Sequence, residues 1–263
     1  MATRVPSMGL RFCLLASGSK GNAVYIESKG QAVLVDNGLS GVELVRRMES
    51  VSLDPARIRA VILTHEHRDH SSGAGIAARK FRVPLIATPG TWAACPGTKK
   101  VNHLPMQAGR PFETAGLQIT PFNTPHDAAD PVGLVVQAGA ARLGLCTDLG
   151  RATRLVEARL QGCHALVLES NHDPQMLKNG PYQEWLKQRV RSRHGHLSNQ
   201  EGAELLCRLH HEELKEVMLA HLSETNNTPE LAKAETEAAL QRLESRAKLR
   251  LARQNRPSPV IEI

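Results

Sequence analysis

Apolar positions in this chain fall into short runs separated by turn residues, and only a few stretches follow a helical period. Between residues 10 and 36 the runs 12–15, 24–27 and 32–36 alternate with Gly18-Ser19-Lys20-Gly21-Asn22 and Lys29-Gly30, which predicts a β-meander. Residues 39–48 carry Leu44, Val45 and Met48 at helical spacing. A strand over 60–64 is followed by a helix over 74–81, which Pro84 terminates. Short strands are expected at 85–88, 117–122, 132–137 and 142–146, then a helix over 153–160 and a buried strand over 165–169. Residues 182–193 and 199–209 read as helices, and 216–220 as a strand. Thr228-Pro229-Glu230 is a helix start, with a capping hydroxyl and proline at the first helical position. That last helix is expected to run to about residue 253, and residues 1–9 and 254–263 to be loose tails. Strands alternating with helices over 263 residues describe a single α/β domain spanning 1–263.

Composition narrows the picture. Hydrophobic residues make up 41% of the chain but aromatics only 3%, so the core must rest on Leu, Val, Ile and Ala. Scarce aromatics also argue against a base-stacking surface of the kind single-strand binders use. No run is long enough to span a bilayer. Residues 1–9 lack the basic-then-apolar pattern of a secretion signal, and Met8 offers a second start. Five cysteines at irregular spacing, with no CxxC, point to a reduced, cytoplasmic setting. A net charge of +7 favours polyanionic partners such as nucleic acid, although charge alone does not select them.

Candidate chemistry concentrates just after the strand at 60–64, where the chain reads His65-Glu66-His67-Arg68-Asp69-His70. Strand alternation lets His65 and His67 face one point, and a turn toward a helix lets Asp69 and His70 face a second point close by. Neutral imidazole and carboxylate suit zinc, manganese or iron. A solvated charged loop would not gather so many ligand types.

This run resembles the HxHxDH signature of the metallo-β-lactamase superfamily, whose fold is a four-layer αββα sandwich with a two-metal site at the sheet edge. His126 in Thr124-Pro125-His126-Asp127, Asp148 in Thr147-Asp148-Leu149-Gly150 and His221 in Ala220-His221-Leu222-Ser223 follow in matching order. The resemblance implies that His65, His67 and His126 hold one divalent metal and Asp69, His70 and His221 the other, with Asp148 bridging. Asp69 is thereby both ligand and catalytic residue. Within the superfamily the chain is similar to the WalJ (YycJ)-type exonuclease family of bacteria. That likeness is carried by Ser17-Gly18-Ser19-Lys20-Gly21-Asn22-Ala23, Glu169-Ser170-Asn171-His172-Asp173, Gly195-His196-Leu197-Ser198-Asn199 and 221–230. Between Asp148 and His221 there is too little chain for a β-CASP insertion, so the domain is a compact one. His67 where di-iron oxygen reductases of the superfamily carry glutamate argues for hydrolysis.

Outside the ligand set, His196 resembles the histidine that approaches the scissile phosphate in tRNA 3′-processing relatives. It precedes an expected helix start at Ser198 or Asn199, where backbone N–H groups favour an anion. Its ordinary pKa suits phosphate binding and protonation of the leaving oxygen. A surface histidine beside a helix cap is the competing reading. Ser19, Asn22, His172, Ser198, Asn199 and Arg189 are further candidate substrate contacts, and Asp36 is either a support for a ligand histidine or a turn former. The basic residues at 187–193 and 246–253 are candidates to track a nucleic-acid backbone, or else solvated helix faces.

Three functions follow. The first is a metal-dependent phosphodiesterase using a metal-bridging hydroxide, and specifically a DNA exonuclease. The second is a small-substrate hydrolase acting on a cyclic phosphodiester, lactone or thioester. The third is a nucleic-acid-binding module without catalysis, which a complete ligand set disfavours.

Overall fold

The computed structural model describes residues 9–98 and 100–263. Its strands form two seven-stranded mixed sheets. One contains β1 (Arg11–Ala16), β2 (Ala23–Ser28), β3 (Gln31–Val35), β4 (Ile58–Ile62), β5 (Leu85–Ala87) and β6 (His103–Pro105). The other contains β7 (Phe112–Thr114), β8 (Leu117–Asn123), β9 (Val132–Ala138), β10 (Ala141–Cys146), β11 (Ala165–Glu169), β12 (Glu216–Ala220) and β13 (Lys248–Leu251). β14 (Ile261–Glu262) closes the outer edge of the first sheet against β1. Within each sheet an antiparallel hairpin region gives way to parallel strands, β3 to β6 in the first and β10 to β13 in the second.

Strand alternation explains the layers. Phe12, Leu14, Val33, Val35 and Ile62 pack between the sheets against Ile119, Leu134, Val136, Val167 and Met218. Their strand neighbours Cys13, Leu15, Leu34 and Val61 turn to the opposite face. There they meet Leu44 and Met48 of α1 (Gly41–Ser50) and Ala74, Ala77 and Ala78 of α3 (Ala74–Phe81), which follows the short α2 (Arg68–Ser71). α4 (Pro89–Ala94) lies beyond them in the chain. On the other side, Leu166, Leu168, Val217 and Leu219 meet helices α5 (Arg154–Leu160), α8 (Asn199–Leu209) and α9 (Pro229–Arg242). Between α5 and α8 the chain forms α6 (Pro174–Asn179) and α7 (Glu184–Val190). Because both faces of each sheet are covered, the strands read as continuous apolar runs. The result is the expected αββα sandwich.

Three expectations are corrected. The final helix ends at Arg242, and the stretch expected to extend it forms β13, parallel to β12. Lys248 and Arg250 alternate with Leu249 and Leu251 there, a period of two that marks a strand, and Arg250 Nε donates to Glu216 Oε2 at 2.8 Å. The basic helix face expected at 246–253 therefore does not exist. Residues 254–263 are not loose. Ser258 is buried and exchanges backbone and side-chain hydrogen bonds with Leu14, and Gln254 carbonyl accepts from Arg47. β14 covers an edge that would otherwise expose unpaired backbone. Of the other expected tail, residues 1–8 lie outside the described residues. The helix expected over 182–193 is shorter, α7, because the chain folds back at Gly195, where a Cβ would stand 2.2 Å from the Val190 carbonyl oxygen.

Candidate metal centre

The site is assembled at the C-terminal ends of strands, the usual place for ligands on open α/β sheets. Asp36 follows β3 directly, the 65–70 run follows β4, Asp148 follows β10, Glu169 ends β11 and His221 follows β12. Asp36, Asp148 and His221 all have left-handed backbone, with φ of 58°, 57° and 57°. Non-glycine residues adopt this conformation at a cost, and it turns each side chain off the strand end toward one point. The hydrogen bond from His221 N–H to Ser17 Oγ, 2.7 Å, helps fix one of these turns.

Two triads converge. His65, His67 and His126 bring a ligand atom each to within 4.8 Å of one another, and Asp69, His70 and His221 do the same. A third grouping, His65, His70 and Asp148, links them at the same spacing. His126 Nε2 is 3.2 Å from His67 Nδ1, and His126 Nδ1 meets the Gly195 carbonyl at 3.1 Å. His70 Nε2 is 3.2 Å from Asp148 Oδ2 and 3.3 Å from Asp69 Oδ2. His221 Nε2 is 3.4 Å from Asp69 Oδ2. His67 is also the N-cap residue of α2, and the short helix brings Asp69 and His70 to the second triad while the His70 ring stays 4.1 Å from that of His65.

Carboxylates orient the rings. Asp36 Oδ2 accepts from His70 Nδ1 at 2.8 Å and from Thr64 Oγ1 at 2.8 Å, and Asp36 Oδ1 accepts from Thr64 N–H. Thr64 Oγ1 in turn lies 3.0 Å from His65 Nδ1. The two readings of Asp36 thus merge, since its left-handed turn is what aims the carboxylate at His70. Glu169, fully buried, receives His221 Nδ1 at 2.9 Å and His196 Nδ1 at 2.8 Å on Oε1. It also accepts the backbone N–H groups of Asp148, Leu149 and Leu197. One carboxylate therefore ties three loops and two histidines together.

Burial and charge set the protonation states. Burial pushes His65 well below its ordinary value, with the positive field of His70 adding to the effect, and burial likewise lowers His126. Burial is the largest single effect on His70 and His221 and opposes their charge, but Asp148 together with Asp36 at His70, and with Asp69 and Glu169 at His221, outweighs it. Both rings are thereby raised well above the ordinary histidine value. Against burial, His221 and His70 hold Asp148 and Asp69 well below the carboxylate range. Burial would raise Glu169, yet His196 and His221 hold it at about 2.

This donor set fits a divalent metal. His65 Nε2 and Asp148 Oδ2 are buried without a hydrogen-bond partner among the described residues, and both belong to residues of the linking group. Buried polar atoms ordinarily find partners, so orphans among mutually close imidazoles and carboxylates mark a coordination site.

A cleft of about 260 Å³ opens over the centre, lined by His67, Asp69, Asp148, His196, His221, Ser19, Arg68, Asp127, Gly195 and one face of α7. Of the expected substrate contacts, His196, Ser19 and Arg189 line it. Arg189 Nε donates to Asp127 Oδ2 at 2.5 Å. Four others are placed elsewhere. Asn22 is buried and its amide lies 2.9 Å from both Asp69 Oδ2 and His70 Nε2, so it supports the ligands. Ser198 caps α8 in a reciprocal capping box with Glu201. Asn199 is buried against Ser170 and Asn227. His172 is buried and its backbone pairs with Ser198, away from the cleft wall. Glu169, Arg68 and Asp127 were not anticipated as site residues. Glu169 closes the otherwise apolar strand 165–168, and its burial there requires the partners that the fold brings to it.

The two-sheet sandwich with ligands at its strand ends is the architecture of metallo-β-lactamase-fold proteins. A crystal structure of the metallo-β-lactamase fold protein YhfI from Bacillus subtilis superposes with a TM-score of 0.72 at 15% identity, covering 97% of this chain and 100% of that one. The chain belongs to the beta-lactamase superfamily, whose domain model matches residues 31–222. It is 35% identical over 231 residues to the exodeoxyribonuclease WalJ of Streptococcus pneumoniae, covering 86% of both chains. It is also 35% identical over 240 residues to the exodeoxyribonuclease YycJ of Bacillus anthracis, covering 89% of this chain and 90% of the other.

Proposed function

We propose that this protein is a metal-dependent exodeoxyribonuclease that hydrolyses phosphodiester bonds at a centre of two divalent ions, zinc or manganese, with iron as a further fit. The observation that carries the reading is the convergence of two triads on a shared Asp148, with orphaned donor atoms between them. His65, His67 and His126 would hold one ion and Asp69, His70 and His221 the other. Bound there, the ions would supply an activated water and neutralise charge at the scissile phosphate.

The chain's own residues do the rest. Asp36 and Glu169 fix the tautomers of His70 and His221 by taking their Nδ1 hydrogens, leaving Nε2 free to act as a ligand. Glu169 gives His196 the same support, and His196 lines the cleft, placed to bind a phosphate oxygen and to protonate the leaving oxygen. Arg68 and Arg189 line the same cleft and offer positive charge to the phosphate backbone. The relatives' exodeoxyribonuclease activity and the net charge of +7 support DNA as the substrate. The free cysteines Cys13, Cys95, Cys146, Cys163 and Cys207 fit a reducing, cytoplasmic setting.

The test is hydrolysis of 5′-end-labelled double-stranded DNA by metal-stripped protein with manganese or zinc restored, beside His67→Ala and His196→Ala. Stepwise release of nucleotides by wild type, abolished in His67→Ala and strongly slowed in His196→Ala, is the expected result. Cleavage of a chromogenic phosphodiester with DNA untouched under every metal would refute the nuclease reading and leave a small-substrate hydrolase.

A further inference from the structure

One side chain on α7, the helix that borders the cleft, is out of keeping with the other aromatics. Trp185 is 61% exposed, and among the described residues it is the sole aromatic of the exposed large hydrophobics. Phe12, Tyr25 and Phe122 are fully buried, and Trp92 stacks on His103 with 4.0 Å between ring centroids. In a chain with so few aromatics, an indole left in water forgoes burial that the core would otherwise gain.

Its position gives the exposure a use. Trp185 lies on α7, and Leu186, Arg189 and Val190 of that helix line the cleft. Trp185 and Arg189 stand four residues apart, so their Cβ atoms are about 5–6 Å apart on one stripe of the helix. The indole therefore sits one turn from a guanidinium at the cleft wall. Its Nε1–H donates to Gln183 Oε1 at 2.6 Å, which occupies the polar edge of the ring. Arg189, with a side chain 52% exposed, engages Asp127 through Nε, and Arg68 adds a second positive charge to the lining.

We propose that Trp185 is a stacking platform for a nucleobase of the DNA strand whose terminal phosphodiester enters the cleft, with Arg189 holding the adjoining phosphate. The proposal rests on the nuclease reading and deepens it. An aromatic face beside a cationic track is the arrangement that holds single-stranded nucleic acid, because every base offers a π-face and every linkage a negative charge. Such a contact tolerates any sequence. It favours a polynucleotide over a small diester that ends before reaching α7.

The test uses metal-loaded protein, duplex DNA with a single-stranded end, and bis(4-nitrophenyl) phosphate as the short substrate. Trp185→Ala is expected to raise KM for DNA about tenfold, at the lower end of what loss of one base–aromatic stack brings. The ratio of kcat/KM on DNA to that on the short diester should fall by the same factor, and Trp185→Phe should restore most of it. In a Trp92→Phe background, where Trp185 is the remaining tryptophan, phosphorothioate-capped oligothymidylate should quench the fluorescence on binding. Unquenched fluorescence with an unchanged KM in Trp185→Ala would overturn the proposal while leaving the nuclease intact. An equal loss on both substrates would overturn it too, showing that the residue only supports the fold. A wild-type enzyme inert toward every DNA would refute the nuclease reading itself, and this proposal with it.

Discussion

The two triads share histidine but differ in make-up and electrostatic setting, with three imidazoles in one and two imidazoles beside Asp69 in the other. Around His65 and His126 burial dominates, and both rings are pushed toward the neutral form that a metal ligand requires. Around His70 and His221 the carboxylates Asp36, Asp69, Asp148 and Glu169 outweigh burial, and both rings are drawn toward the protonated form. His65 and His126 are thereby favoured as neutral ligands, whereas His70 and His221 must release protons first. Asp148 lies beside both, 3.8 Å from His126 Nε2 and 3.4 Å from His221 Nδ1.

The comparison breaks most completely at Asp148. Asp148→Ala removes the shared ligand, and activity should fall by at least about a hundredfold, since several kcal/mol of transition-state stabilisation are at stake. Steady-state kinetics with metal in excess checks this, and a mild defect would mean the triads work independently. Glu169→Gln comes next, because it loosens His221 and His196 together. Loss of about 10–100-fold in metal affinity or activity is expected, measured by metal titration and by rate.

The pH dependence of the metal-free protein sharpens the contrast. His70 and His221 have folded values above the ordinary 6.5, so their stabilisation is complete below that pH and is lost as pH rises through the raised values. Asp69, Asp148 and Glu169 have depressed values, so theirs is complete above the ordinary carboxylate range and fades as pH falls, toward about 2 for Glu169. His65 and His126, with folded values below the ordinary 6.5, add a further loss as pH falls beneath that value, so the melting temperature of metal-free protein should be highest near pH 6.5 and decline on both sides. Asp36→Asn should flatten the alkaline decline by removing one of the charges that raise His70. A curve still rising through pH 8 would contradict this picture. The smallest effect belongs to Ser198→Ala, which removes an N-cap bond and should cost about 1 kcal/mol of stability with little change in rate. A large kinetic effect would return Ser198 to the cleft.

The run 65–70 was legible as candidate metal chemistry because it is local, whereas His126, Asp148 and His221 were picked out by the family resemblance. Histidine and aspartate packed behind an apolar strand suggest a metal site in one dimension, and the meander follows from apolar runs set between turn residues, whereas the sandwich was implied by the family resemblance. What was hidden depends on partners distant in sequence. Glu169 looks like a strand end until β10, α8 and β12 bring Asp148, Leu197 and His221 to it. Ser198 and Asn199 looked available because a helix start favours anions, yet the capping box and Asn227 had already claimed their side chains. The C-terminal stretch failed differently. Lys and Arg are good helix formers, and that propensity masked the two-residue alternation of β13, which Glu216 and β12 enforce through tertiary contact.

The most direct measurement is metal content per chain by elemental analysis after reconstitution at pH 8, for wild type, His126→Ala and His221→Ala. A two-metal centre predicts about two divalent ions in wild type and about one in each variant. A single ion in wild type, lost equally from both variants, would contradict it.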